Sequence, residues 1–297
     1  MHVGIALPQM ADDYGPSTTV DWSRGIDAGP FSSVSAGERV TFDNPEMVAS
    51  LAAAAAVTTR VRIMTNVWVL PQHPVAMVAQ QIGTLDQLSG GRLSVGVGVG
   101  GREHDYRALG SPFTRRHARL DEQVAELRRL LAGEPPFEGA DPIGPRVVQP
   151  GGPELLAGAL GPRSMRRAAR WADGVTGFSV SGARREIENT NRLADAAWAE
   201  AGRGTPRKVN GCFIALGIED AQARLTSFAE RYLAFMGPEL ATALAAEVTA
   251  SSPDAVRAVL EGARAAGTDE LVLVPASADL RGLDAVTDVV AAFAAQH

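Results

Sequence analysis

Two hydrophobic periods alternate along this chain: short strand-like apolar runs, and longer segments with an apolar stripe at helical spacing. Residues 3–7 predict a first strand, closed by Pro8, and 18–28 a short helix. Residues 31–36 predict a second strand. Asn44-Pro45-Glu46 then predicts a helix start, with Asn44 as N-cap and Pro45 in the first helical position. That helix runs through the alanines 52–56. A third strand is expected over 61–69, then a helix over 74–88 in which Val75, Val78, Ile82 and Leu85 form one stripe. Gly90-Gly91 ends that helix, and 93–99 is the fourth strand. Residues 115–132 predict a long helix with Leu120, Val124, Leu127 and Leu131 on one face.

The Pro- and Gly-rich stretch 133–152 predicts a loop. Beyond it come a fifth strand (155–158), a helix (162–171), a sixth strand (175–178), a helix (183–201) and a seventh strand (209–218). Residues 219–251 hold more helix than one crossover needs, so an inserted helical layer is expected after the seventh strand. A helix (253–266), a strand (270–274) and a helix (283–295) complete the chain. Eight strands with helices between them predict one (β/α)8 TIM barrel domain over residues 1–297.

Composition fits that size. The 297 residues are 45% hydrophobic, enough for a large core, and barrels of this kind run to roughly 250 residues or more. The formal charge of -6, from 28 Lys+Arg against 34 Asp+Glu, argues against nucleic acid or an anionic membrane as partner. The one cysteine, Cys212, excludes an internal disulfide and sits in an apolar run, so it reads as a buried thiol. His2, His73, His104, His117 and His297 show no metal-ligand spacing, so no metal site is expected. The start MHVGIALPQM has no signal-peptide pattern, and the apolar run 52–57 is far too short for a bilayer. A cytoplasmic protein is expected.

Three segments carry a family resemblance. They are Arg62-Ile63-Met64-Thr65-Asn66-Val67-Trp68-Val69-Leu70-Pro71 with His73-Pro74 beyond; the run TLDQLSGGRLSVGVG from Thr84 to Gly98; and Gly158-Ala159-Leu160-Gly161-Pro162-Arg163-Ser164 followed by Ala172-Asp173-Gly174. Together they resemble the luciferase-like monooxygenase family, which includes bacterial luciferase, alkane sulfonate monooxygenase and enzymes using the deazaflavin coenzyme F420. The resemblance covers nearly the whole chain and implies a flavin or deazaflavin cofactor, F420 or alternatively FMN. It also implies a homodimer.

Each segment has its own physical reading. Gly96, Gly98, Gly100 and Gly101 end a strand at the face where such barrels hold their sites, so a flat ring could lie against bare backbone there. A tight turn into the next helix is the plainer alternative. The same glycines spell GxGxxG, but three strands precede them, whereas the dinucleotide fingerprint normally opens its domain. Gly161-Pro162-Arg163-Ser164 predicts a helix start with free N–H groups, fit for a cofactor phosphate or else an ordinary cap. The resemblance places a non-proline cis peptide at Asn66–Val67, against a plain trans strand. Gly158 belongs to the same cofactor set.

For proton and substrate handling, two residues stand out. Where relatives often carry Gly-Asp-His, this chain has Gly37-Glu38-Arg39; Arg39 cannot give up a proton near neutrality and suits an anionic substrate group, or else pairs with Glu38 in solvent. His104, in a loop expected at the active face, suits general acid/base work or is simply exposed. The acidic tail of F420 favours basic residues near the mouth, with Arg102, Arg163 and Arg166 as candidates. The expected function is F420-dependent hydride transfer to or from a small organic substrate. The alternatives are an FMN monooxygenase fed by a separate reductase and, in another class, a non-catalytic flavin-binding protein.

Overall fold

The eight strands are β1 (His2–Ala6), β2 (Ser33–Ala36), β3 (Arg62–Trp68), β4 (Leu93–Val97), β5 (Leu155–Gly158), β6 (Gly174–Phe178), β7 (Arg207–Ile214) and β8 (Glu270–Pro275). Each pairs in parallel with the next, and β8 pairs with β1, so the sheet closes into a barrel. The structure, a computed structural model, describes residues 1–296; His297 lies outside the described residues. Around the barrel run α1 (Thr18–Ala28), α2 (Met47–Val57), α3 (Val75–Ser89), α4 (Glu103–Ala108), α5 (Arg116–Leu131), α6 (Pro162–Ala168) and α7 (Arg184–Glu200). They are followed by α8 (Ala221–Leu233), α9 (Pro238–Ala245), α10 (Pro253–Ala265) and α11 (Leu280–Ala295). This is the expected (β/α)8 TIM barrel, and α8 and α9 are the helical insertion after β7.

Strand side chains alternate between two environments. Ile5, Val34, Ile63, Val95, Leu271 and Leu273 belong to the large core between barrel and helices. The inward set forms layers, as side chains filling a small barrel must. At the amino end the layer is polar: Ser33 donates to Glu270 at 2.6 Å, Arg62 to Ser94 at 2.8 Å, and Arg207 pairs with both Glu154 and Glu270. Burial works to lower the Arg207 pKa, but Glu154 and Glu270 raise it on balance. Above lies a small apolar layer of Ala6, Met64, Leu156, Val209 and Val272. These two layers fill the barrel beneath its carboxyl mouth.

The 84–98 segment of the resemblance forms a structural joint at the amino rim. Gly90 caps α3 in the left-handed region, at φ 63°. Buried Asp86 accepts from the Gln149 backbone N–H at 3.1 Å and its amide at 2.8 Å, tying down the predicted loop 133–152. Arg92 donates to the Ser89 carbonyl at 2.7 Å and the Thr58 carbonyl at 2.8 Å, gathering the ends of α3 and α2.

Several boundaries differ from expectation, and two of them have a plain local cause. Glu46, not Asn44, caps α2: its carboxylate accepts from Val48 N–H at 2.9 Å and Ala49 N–H at 2.6 Å, while Asn44 bonds locally to the Pro45 carbonyl. A carboxylate has two acceptor oxygens for two orphan N–H groups, which is why it prevails over an amide two residues earlier. The seventh strand ends at Ile214, before the expected residue 218, because the chain turns through Gly217 at φ 67° into the insertion. Among the described residues, no helix is long and apolar enough to cross a membrane.

Candidate active site

All eight strand ends contribute to a cavity of about 490 Å³ at the carboxyl mouth, and the insertion closes one side with Phe228, Tyr232 and Phe235. A larger recess, about 780 Å³, lies at the opposite end around Arg62, Glu154, Arg207 and Glu270. Its charges already satisfy one another, so it holds the barrel together and is no candidate for chemistry.

Asn66 and Val67 form the floor of the mouth. The peptide bond between them is cis, and the β3–β4 register shifts between Thr65 and Trp68. Asn66 Oδ1 accepts from the Thr176 hydroxyl at 2.7 Å, fixing the amide. The Val67 side chain occupies the space the glycines leave: a Cβ on Gly98 would stand 2.9 Å from Val67 Cγ2, and one on Gly158 3.0 Å from Cγ1. The glycines therefore admit the bulge, and Val67 surfaces the shelf that bare backbone was expected to form. Gly100, at φ 57°, is the turn out of β4 and rests against Val69. The GxGxxG match is not a phosphate loop, since Gly96 lies under the Thr65 carbonyl, 2.4 Å from where a Cβ would be.

At the β5–α6 side, Gly158, Gly161 and Ser164 line the cavity. Ser164 Oγ caps its own helix, donating to the Gly161 carbonyl at 2.8 Å and accepting from Gly161 N–H at 3.1 Å. A Cβ on Gly161 would meet nothing within 4 Å, so this rim is open. Arg163 is exposed and lies outside the lining. Arg166 pairs with Glu200 at 3.3 Å, and Arg102 lines the mouth but pairs with Asp105 at 3.2 Å.

His104 is not brought to the cavity. α4 turns Asp105 and Tyr106 inward and leaves Glu103 and His104 exposed. Asp105 does not cap its helix; it accepts from Thr41 N–H at 2.8 Å and the Thr41 hydroxyl, binding α4 to the loop after β2. Burial raises the Asp105 pKa, but the Thr41 bonds and Arg102 bring it below the usual carboxylate range. The histidine at the cavity is His117, whose pKa is lowered by desolvation and by Arg116 and Arg167, so it is neutral near pH 7.

Arg39 lines the cavity and is 8% exposed. The alternative of a solvated pair with Glu38 fails, because Glu38 accepts from Val69 N–H at 2.7 Å and meets His73 Nε2 at 2.6 Å. The Arg39 guanidinium lies 3.6 Å from the Tyr232 ring centroid and 4.9 Å from that of Phe42, and Nη2 donates to the Tyr232 carbonyl at 2.8 Å. Burial lowers its pKa.

Among the described residues, four of the seven buried side-chain atoms without a hydrogen-bond partner belong to residues of this cavity: Gln9 Oε1, Ser35 Oγ, Arg39 Nη1 and Gln72 Oε1. Buried polar groups are normally paired, so this concentration marks a wall built for a polar ligand edge. The two amide oxygens and the hydroxyl suit a ring edge that carries N–H groups, and the Arg39 donor is a separate feature that suits an anion. Sequence reasoning missed Gln9, Ser35, Gln72 and His117. Strand parity could have found Ser35, which faces inward on β2; Gln72 and the insertion aromatics depend on docking between remote segments.

Fold and site thus define a class: a (β/α)8 barrel with a ligand cavity at its carboxyl mouth, partly roofed by a helical insertion. The family model for luciferase-like monooxygenase matches residues 1–294, and the chain belongs to that family. An uncharacterised protein of Mycobacterium tuberculosis is 35% identical over 191 residues, 61% of this chain and 64% of its own length. Among solved structures, the monooxygenase RslO1 of Streptomyces bottropensis superposes with a TM-score of 0.77 at 25% identity, covering 99% of this chain and 98% of that one. The coenzyme F420 dependent tetrahydromethanopterin reductase of Methanopyrus kandleri gives 0.78 at 20% identity, covering 98% and 99%.

Proposed function

We propose that this chain is an oxidoreductase working with a flavin-type cofactor, and that its reaction is F420-dependent hydride transfer to or from a small organic substrate. The carrying observation is the set of unpartnered atoms Gln9 Oε1, Ser35 Oγ and Gln72 Oε1 in a cavity whose floor is the Asn66–Val67 bulge. In this reading Asn66, Val67, Gly98, Gly100 and Gly158 support the ring, while Gly161 and Ser164 hold the phosphate at the open rim. Arg163 stands just outside that rim, in reach only of an extended tail. The bound cofactor would supply the hydride chemistry, and the protein supplies orientation and proton control. His117 replaces His104 as the proton carrier proposed for the mouth, since a neutral imidazole can accept a proton.

A second reading, an FMN-dependent monooxygenase fed by a partner reductase, is favoured by the engagement of Arg102 and Arg166 in ion pairs. Those pairs leave fewer free cations for an acidic tail. Absorbance titration of the purified protein with FMN and with F420 decides between them: F420 binding supports the first reading, and FMN binding without F420 binding replaces it by the second. Cofactor bound with no turnover against oxidants, reductants and O2 would instead mark a non-catalytic flavin-binding protein. A second copy of this chain is proposed as partner, checked by sedimentation equilibrium.

A further inference from the structure

Arg39 is buried and forms no ion pair among the described residues; Asp105 acts on it only through space. Its nearest carboxylates are engaged elsewhere, Glu38 with His73 and Asp105 with Arg102 and Thr41. Its guanidinium is held between the rings of Phe42 and Tyr232, with Nη2 on the Tyr232 carbonyl and Nη1 on nothing. Leaving a charge buried and unpaired is strongly unfavourable, so the arrangement is complete only when an anion joins it. The aromatic faces lower that cost but supply no acceptor in the guanidinium plane.

The anion differs from the phosphate assigned above. Arg39 follows β2, while the Gly161–Ser164 rim follows β5, and in a closed ring of eight strands these lie across the mouth from each other. The wall beside Arg39 is aromatic: Phe213, Phe228 and Tyr232 pack edge to face or stacked, at centroid distances of 5.1 to 6.0 Å. Phe235 lies 5.4 Å from the guanidinium carbon, is 43% exposed, and sits on a short turn with no buried residue. It is the most exposed aromatic ring beside the guanidinium.

We infer that Arg39 anchors a carboxylate of the substrate, and that the substrate is an apolar ring compound whose body lies on the Phe213–Phe228–Tyr232 wall. The inference names the substrate class for the oxidoreductase reading and rests on it, yet it predicts binding that needs no cofactor. Arg39 touches the substrate and moves no proton; a guanidinium makes bidentate bonds to a carboxylate that a lysine cannot copy.

The test is calorimetric titration of the full chain with 2-naphthoate and with 2-naphthamide, probes of one shape and different charge. Wild type is expected to prefer naphthoate by about tenfold or more, the range of a charge-assisted hydrogen bond in a buried site. Arg39→Met should abolish the preference and leave naphthamide affinity within about threefold, while Arg39→Lys should keep part of it. Equal wild-type affinity for the two probes overturns the inference, and that comparison stands even if Arg39→Met fails to fold. A preference that survives in Arg39→Met, or a loss of FMN and F420 binding in that variant with naphthoate binding intact, also overturns it. FMN and F420 titrations of wild type are read separately: failure there removes the cofactor reading and leaves the naphthoate comparison to stand alone.

Discussion

Replacing Arg207 by Met tests whether the polar layer at the amino end holds the barrel shut. Arg207 serves two carboxylates, and removing it leaves them unequal. Glu154 retains the Ser94 hydroxyl at 2.5 Å and Arg62 at 3.6 Å. Glu270, whose side chain is only 2% exposed, loses its one cation. Breaking a buried pair from one side costs about 3–5 kcal/mol. The Ser32 and Ser33 hydroxyls, each 2.6 Å from Glu270 Oε1, remain, and Arg207 is itself 27% exposed, so the lower end, about 3 kcal/mol, applies. For a chain of this size roughly 2 °C is lost per kcal/mol, giving a fall of about 6 °C in Tm by calorimetry. The double variant Arg207→Met/Glu270→Gln should recover more than half of that, because the stranded charge is gone. A single-variant Tm within about 2 °C of wild type, or a double variant less stable than the single, would refute the account.

Three further outcomes follow from the same physics. Asp27 accepts backbone N–H bonds from Val61, Thr59 and Arg60, which outweigh burial and lower its pKa from 3.8 to about 2. Its contribution is complete above the unfolded value and fades as pH falls through the folded one, so the deficit of Asp27→Asn, about 1–2 kcal/mol at pH 7 after allowing for partial exposure, should shrink steeply between about pH 5 and 2 in urea melts and vanish only below about pH 2. A Cβ on Gly83 would lie 2.1 Å from the Pro145 carbonyl, so Gly83→Ala should loosen the 133–152 loop and speed its cleavage by thermolysin at least several-fold. Burial raises the Cys212 pKa to about 12, so the thiol should resist Ellman's reagent at pH 8 until the chain unfolds, and rapid native labelling would contradict its place in the core.

Much of the fold was legible because both periods of the barrel are local. The stripe Val78, Ile82 and Leu85 is buried on α3, and the glycine at residue 90 caps it in the left-handed region. The cofactor candidates Asn66, Val67, Gly98, Gly100, Gly158, Gly161 and Ser164 reach the mouth cavity, since strand ends in a parallel barrel converge on one face, whereas Arg163 stays outside it. Failures came where a side chain's direction is set by a partner far along the chain. His104 was favoured for its chemistry, but the inward face of α4 went to Asp105 because Thr41, 64 residues earlier, offers it two donors.

By itself, the sequence determined the order of strands and helices, the helical layer after β7, and the strand-end glycines, because each rests on periodicity or on backbone freedom within a few residues. Only the tertiary structure decided that Val67 fills the space over Gly98 and Gly158, and that Glu38 leaves Arg39 for His73. It alone brought Tyr232, 193 residues on, against that arginine. Burial and pairing of a charge depend on which distant segments close around it, and no local pattern carries that information.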